Sequence, residues 1–427
     1  MDRIDIDTGN EKISIEIPDN ITWESVKPVI IRPAESEEAI ISIALGNPLE
    51  SKRLSSEVSD KAKIAVIVCD DTRYIPQKKI LQLVLEELKN AGVKKNDISI
   101  VIASGTHPPM KKDAIINMLG KAVVDEYKIE SNDAYDKARL CYLGKSSKYE
   151  IDTYINATVA KADYRIGIGT VDPHIFAGYS GGNKLVGIGT AGEKTIEATH
   201  NPMVMENRNT KFADIENNLF RDMIDDTAKM IGIDFLINTV INSKKELIGM
   251  FCGNTDAVYR EAVSMASGLY QAEVEKAADI VITIPKYPKT NNLYQAVRAI
   301  NSVVFLDEPI LKRGGTCILP AACPDGIGSK DFYSELASSK NAEEYINQAK
   351  EQGFSAEGNK AFTVAKMLYH CEIIVTDTRI EPGKLNNMGL GWAETAKEAL
   401  FKAVKKGDHL VILEDGFTTL PKIREAI

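Results

Sequence analysis

Between Asp172 and Pro202 the chain reads DPHIFAGYSGGNKLVGIGTAGEKTIEATHNP, holding two of its five histidines, a lysine at the centre and six glycines. Glycine lets a backbone run close to a ligand and adopt positive φ. The density around Lys184 therefore predicts chain wrapped against a bound group, with Gly181 and Gly182 at the closest approach. His174 precedes this loop and His200 follows it. Lys184 could be a phosphate ligand, a covalent nucleophile or a surface cation. GYSGGNKLVG is not a Walker A loop, because no Ser or Thr follows the lysine. GIGTAG has the GxGxxG spacing (187, 189, 192), but no strand clearly precedes it in a βαβ unit. His200 has no HxH, HExxH or Cys/His cluster beside it, so its own surroundings favour a capping or core histidine over a metal ligand.

Other polar clusters follow apolar runs directly. IAVIVC leads into Asp70-Asp71-Thr72-Arg73, ISIVIA into Ser104-Gly105-Thr106-His107-Pro108-Pro109, RIGIG into Thr170-Val171-Asp172-Pro173-His174, and DIVITIP into Lys286-Tyr287-Pro288-Lys289-Thr290-Asn291-Asn292. Ligands of open α/β sheets bind beyond the carboxyl ends of the strands, so these loops should converge on one cleft. Arg73 offers the fork that clamps a carboxylate; paired with Asp70 it could equally cap the helix starting near Pro76. His107 and His174, on separate strand ends, could supply a base and an acid on opposite faces of a substrate. That arrangement suits racemisation or epimerisation. His370 and His409 carry no motif and read as structural.

The elements that must position these residues alternate. Strand-like runs occur at 64–68, 98–103, 165–169, 280–284, 317–320, 373–376 and 410–413, and amphipathic stretches at 79–90, 212–231, 255–276 and 360–368. This is an α/β pattern: two α/β domains with mainly parallel sheets and an active-site cleft between them. The first 20 residues alternate polar and apolar around Gly9-Asn10, a hairpin signal. A boundary falls near 273–278. It assigns residues 1–273 to an N-terminal domain carrying the lysine and histidines, and 278–400 to a C-terminal domain. A closing strand and tail, 401–427, could join either.

Composition limits the partners. With 427 residues, 44% hydrophobic and 26% charged, the chain reads as globular. A net charge of −9 argues against nucleic acid or an anionic membrane as main partner, while leaving room for a local basic pocket. The start lacks an apolar signal region, no run is long enough to span a membrane, and the six cysteines form no CxxC pair. These features fit a cytoplasmic protein with reduced thiols.

Together DDTR, SGTHPP, DPHIFAGYSGGNK, EATHNP and LYQAVR make the chain resemble the lactate racemase family, nickel-pincer-dependent 2-hydroxyacid racemases and epimerases, over nearly its whole length. The resemblance implies that Lys184 forms a thioamide with the nickel-pincer nucleotide (pyridinium-3-thioamide-5-thiocarboxylic acid mononucleotide), and that His200 is the protein's ligand to Ni(II). It implies an acid/base pair of His107 and His174, substrate contacts from Arg73, Tyr294, Gln295 and Arg298, and a place for Asp70 in the cofactor site. The implied reaction moves hydride from the substrate C2 to the cofactor and back to the other face of a 2-oxoacid. It also implies a small-molecule 2-hydroxyacid partner and separate enzymes that make the cofactor. Lactate-acting members have lysine where this chain has Arg298, and a tryptophan in the helix that here reads EGNKAFTVAKML. These departures point away from lactate, toward a malate-like or polyhydroxy acid. Two other readings stay open: an NAD-dependent 2-hydroxyacid oxidoreductase using GIGTAG, and a non-catalytic small-anion binding protein.

Overall fold

The computed structural model describes residues 2–9, 12–354 and 358–424. The strand Ile64–Cys69 is buried at five successive positions. A parallel strand covered by helices on both faces needs such an unbroken apolar run. It lies inside a six-stranded sheet ordered Leu247–Gly253, Phe235–Ile241, Tyr164–Thr170, Ile64–Cys69, Ile98–Ala103, Lys128–Ser131. The first pair is antiparallel and the rest run parallel. From Ile64–Cys69 the chain winds to one edge, then returns to the other side at Tyr164–Thr170. The order therefore reverses between these two strands, where an open α/β sheet leaves a crevice at its carboxyl ends. Asp70 and Arg73 follow one of the pair, and Asp172 and His174 the other.

The second sheet is parallel throughout, in the order Gly391–Trp392, Glu372–Thr376, Leu311–Pro320, Ala278–Thr283, His409–Leu413, Thr22–Val26. Its order reverses between Ala278–Thr283 and His409–Leu413, so the segment from Lys286 to Asn292 opens onto its crevice.

Strand membership differs from the sequence expectation at the N-terminal end, and it decides between the two places left open for the C-terminal strand. Thr22–Val26 lay within the 1–273 unit on that expectation, yet it pairs residue for residue with His409–Leu413 in the second sheet. The opening hairpin, Asp2–Asp7 with Lys12–Ile17, buries Ile6, Ile13, Ile15 and Ile17 among Ile280, Ile282, Leu410 and Ile412. The closing strand sits inside the second sheet and does not return to the first. An alternating isoleucine face specifies that it must be covered, not which sheet covers it.

Two strands, Phe235–Ile241 and Leu247–Gly253, were not anticipated from the sequence. The helix expected over 212–231 is confined to Leu219–Ala228, because the Asn218 side chain accepts from the Arg221 amide and starts it there. The one expected over 255–276 stops at Tyr270, and Gln271–Val274 becomes a strand. One apolar cluster joins Phe176, Val204, Phe220 and Ile224 to Leu293, Ala296 and Val297, so a shared core runs beneath the segments that carry the chemistry.

Candidate active site

Each loop at the two crevices is built by its own short-range bonds. After Pro173–His174 the chain turns back through Gly178–Tyr179 as a two-residue antiparallel pair. Gly178 has φ +69°, and a Cβ there would lie 2.2 Å from the Asp214 carbonyl oxygen, so only glycine fits. The buried Arg221 guanidinium donates to the carbonyls of Ala177, Tyr179 and Gly181, fixing the loop from beneath. Nothing in the sequence distinguished Arg221 from a surface arginine. Gly181 and Gly182 also have positive φ, and a Cβ at either would meet Asn238 and Val171 or the Tyr259 ring at 2.9 Å. Packing within the protein thus already requires both glycines.

Lys184 is thereby aimed at His174: its Nζ lies 2.8 Å from the imidazole Nε2. The other ring nitrogen, Nδ1, accepts from the Phe176 and Ala177 amides at 3.2 and 3.1 Å. A nitrogen accepting from two N–H groups carries no proton of its own, which places the neutral ring's proton on Nε2. Nε2–H then donates to Lys184, whose amine must offer a lone pair. The same state follows from the electrostatics. Burial, then the charges of Arg73 and Arg221, push the Lys184 amine well below its ordinary range. Burial, then Lys184 and Arg73, do the same to His174. Lys184 is a neutral, nucleophilic amine rather than a surface cation.

His107 is held in the opposite sense. Its Nδ1 lies 2.7 Å from Asp70 Oδ2, so Nδ1–H donates to the carboxylate and Nε2 keeps its lone pair. Asp70 also accepts from the Thr72 amide and hydroxyl. Burial raises its pKa, but the bonds from His107 and Thr72 outweigh this and hold the carboxyl below its usual range. The His107 side chain is 59% exposed, at the rim of the crevice. One histidine is thus set to take a proton and the other to give one. Asp70 is bonded to His107, and the alternative pairing with Arg73 is not made: Arg73 Nη1 sits 3.6 Å from Asp172 Oδ2. The Tyr270 hydroxyl reaches the other Asp172 oxygen at 3.3 Å.

His200 ends the helix Glu193–Thr199. Its Nδ1 lies 3.0 Å from the Ile196 carbonyl, which takes the Nδ1 proton and leaves the Nε2 lone pair open. Phe220 meets the ring edge-on at 4.8 Å and lies 6.3 Å from the His174 ring. Burial pushes the His200 pKa down to about 4, so the imidazole is neutral at neutral pH, the state a metal requires. Among the described residues no group of three His, Cys, Asp or Glu could hold a metal ion by itself. A bound metal would need most of its donors from a cofactor. One open imidazole beside one neutral amine fits a tethered group that brings the other donors.

The second sheet faces this from across the crevice. Asn292 caps the helix Leu293–Ala296 through the Gln295 amide, and Gln295 Oε1 accepts from Arg298 Nη1 at 3.2 Å. The Arg298 guanidinium lies over the Phe417 ring, 5.4 Å from its centre. Burial and the Arg73 charge lower its pKa to about 10. Lys289 is lowered to about 8 by burial, then by Arg298 and Arg73. Lys360 Nζ sits 5.4 Å from the centre of the Tyr294 ring. Its pKa falls to about 7 through burial and the Arg298 charge. The carboxyl ends of both sheets therefore present cations to one space, as the sequence clusters implied. Lys289 and Asp172 stood in quoted segments without being named as site residues. Lys360 opens the helix where the resemblance already marked a departure, a lysine in the segment in which lactate-acting members carry a tryptophan.

GIGTAG does not form a dinucleotide turn. Leu185–Gly189 makes a π-helical turn after Lys184, and a Cβ at Gly187 or Gly189 would strike the Ile224 carbonyl or Ala103. His370 and His409 hold structure: His370 Nε2 bonds the Leu311 carbonyl, and His409 joins Thr22 and Glu24. No helix among the described residues is long and apolar enough to cross a membrane. All six cysteines are free.

Comparison with known proteins shows the family and the fold of the chain. Residues 8–211 match the lactate racemase N-terminal domain, and residues 273–420 the lactate racemase C-terminal domain. A lactate racemase of Thermoanaerobacterium thermosaccharolyticum is 30% identical over 394 residues, covering 89% of each chain. One from Lactiplantibacillus plantarum is 28% identical over 394 residues, covering 91% of each. The structure of the lactate racemase apoprotein from T. thermosaccharolyticum superposes with a TM-score of 0.89 at 26% identity, covering 99% of this chain and 100% of that one. A Thermotoga maritima protein shares the fold, with a TM-score of 0.70 at 17% identity over 93% of this chain and 100% of that one.

Proposed function

The chain belongs to the lactate racemase family and is an isomerase, and from that premise we propose that it inverts C2 of a 2-hydroxycarboxylic acid by reversible hydride transfer. The observation that carries this is the neutral Lys184 amine hydrogen-bonded to His174, with two histidines in opposite protonation senses around it.

Removing the C2 hydrogen as a proton would leave two negative charges on a deprotonated 2-hydroxycarboxylate; removing it as hydride avoids that. Lys184 would tether and His200 would ligate a nickel-pincer nucleotide, which would supply a hydride acceptor. The protein's own residues do the rest. Arg73 and Arg298 hold the substrate carboxylate, with Gln295 fixing the Arg298 fork and Tyr294 lining the wall. His107, through its open Nε2, takes the hydroxyl proton of one enantiomer. His174 Nε2 stands opposite and exchanges a proton with the oxygen of the other enantiomer, donating only after that ring has taken a proton up. Run backwards, the two exchange roles. Asp70 holds His107 in its proton-accepting tautomer. The departure at Arg298 and the cation at Lys360 favour a substrate other than lactate. A cytoplasmic location and dependence on cofactor-making enzymes belong to the same reading.

A substrate deuterated at C2, racemised in ordinary water by the cofactor-loaded protein, tests the mechanism. Hydride transfer predicts that the inverted product keeps its deuterium. Loss of the label to solvent with every inversion would replace hydride transfer by proton abstraction.

A further inference from the structure

A hydrogen bond and a ring contact set Arg298. Its Nη1 donates to Gln295 Oε1 at 3.2 Å, and its guanidinium lies over the Phe417 ring, 5.4 Å from the centre. A hydrogen bond at one corner lets a guanidinium swing about that corner, whereas an aromatic ring against its face removes the swing. Among the described residues Gln295 Oε1 is the only hydrogen-bond acceptor that Arg298 has, so its other N–H groups are left for a ligand or water.

The position of the ring is itself fixed by the chain around it. Phe417 follows the strand His409–Leu413 in the turn Asp415-Gly416-Phe417-Thr418. Asp415 is buried, and its Oδ1 accepts from the Phe417 and Thr418 amides at 2.9 and 3.3 Å, which closes the turn. The Gly416 amide donates to the Ile284 carbonyl and its own carbonyl accepts from the Ser302 hydroxyl, both at 3.0 Å. A Cβ at Gly416 would lie 2.2 Å from Thr283 Oγ1 and 2.7 Å from the Ala299 carbonyl oxygen. Gly416 thus packs directly on Ala299, and the next residue of the turn, Phe417, meets the residue before Ala299, Arg298. Beyond the ring, Leu420 is buried with Val171, Tyr179 and Tyr270 of the first unit. The segment is anchored to the second sheet before the ring and beside the Asp172 loop after it. An aliphatic side chain could fill the same space, but only an aromatic face gives a planar cation a flat, electron-rich support.

We propose that Phe417 is a positioning residue for substrate binding: its ring holds the plane of the Arg298 guanidinium so that the remaining N–H groups meet the substrate carboxylate. This deepens the racemase reading and rests on its assignment of Arg298 to that carboxylate.

Propionate lacks the hydroxyl and is inert, so calorimetry on the cofactor-loaded protein reads carboxylate binding without turnover. Phe417→Leu should weaken propionate ~10-fold, and Phe417→Tyr, which keeps the aromatic face, should stay within ~2-fold of the parent. In an Arg298→Lys background, where a point charge has no plane to be held, Phe417→Leu should change the affinity by less than ~2-fold. An equal loss in both backgrounds, misfolding included, makes the ring plain packing and overturns the proposal. Unchanged affinity in Phe417→Leu, or no rescue by Phe417→Tyr, overturns it too. A loaded parent that binds no propionate but racemises a hydroxyacid removes Arg298 from the carboxylate, and this inference with it, while the racemase reading stands. The predicted pattern in a protein that racemises no hydroxyacid keeps the role of Phe417 in anion binding and overturns the racemase reading.

Discussion

At the scale of single residues, the site depends on protons being fixed before any substrate arrives. Asp70→Asn keeps the shape beside His107 but no longer dictates which ring nitrogen carries the proton. We expect kcat to fall roughly 10²–10⁴-fold, with the Lys184 adduct intact by mass spectrometry. A kcat near that of the parent would mean that His107 does not act through Nε2. The cation cluster predicts a pH dependence. Lys360 and Lys289, lowered to about 7 and about 8, bind anions only when protonated. The groups facing them are Arg298, Arg73, Asp172, Lys245 and Tyr294. The affinity of the cofactor-loaded protein for a non-reactive carboxylate such as propionate, read by calorimetry, should therefore be greatest below about pH 7 and fall as pH rises through about 7–8. An affinity independent of pH between about 6.5 and 9 would place the ligand elsewhere. Most of these residues were legible because chemistry-bearing types collect directly after apolar runs. His200 was not legible from its neighbours alone, since a single imidazole makes sense as a ligand only when the other donors come from outside the chain. Arg221 was not legible either, because its three carbonyl partners lie some forty residues upstream.

At the scale of elements, the loop from Asp172 to Lys184 is a rigid mount. Its glycines serve protein packing first, as the short distances at Gly178, Gly181 and Gly182 show. Gly178→Ala should force the Asp214 backbone aside and strain a positive φ. We expect about 2–4 kcal/mol of lost stability by denaturant titration, together with loss of cofactor attachment as His174 and Lys184 move apart. A loss below about 0.5 kcal/mol would show that the loop yields freely. Strands with continuous apolar runs, such as Ile64–Cys69, were readable from sequence because burial on both faces leaves that pattern. The antiparallel pair Phe235–Ile241 and Leu247–Gly253 does not stand out in the sequence, although FLINTVI is buried throughout. Its Asn and Thr resemble a half-exposed segment, yet Asn238 is buried because it accepts from the Gly182 amide, a contact 56 residues away in sequence.

At the scale of the whole molecule, two sheets each reverse their strand order, and both reversals face the same space. The α/β alternation and the cleft could be read from the chain. The closure of the second sheet by Thr22–Val26 could not, because it pairs residues almost four hundred positions apart. The acidic total coexists with an inner cluster of Arg73, Lys289, Arg298 and Lys360, so net charge described the surface and not the site. The shared core under Phe220 ties the first half's histidines to the second half's substrate wall. The central claim is that this frame holds a covalently tethered nickel cofactor on Lys184. Intact-protein and peptide mass spectrometry with nickel analysis, on protein co-expressed with the cofactor-making enzymes, tests it most directly. The account predicts a mononucleotide-sized adduct on the Lys184 peptide with close to one nickel per chain, the adduct lost in Lys184→Ala and the nickel depleted in His200→Ala. A chain with neither adduct nor nickel, from cells that load a known lactate racemase, would contradict it.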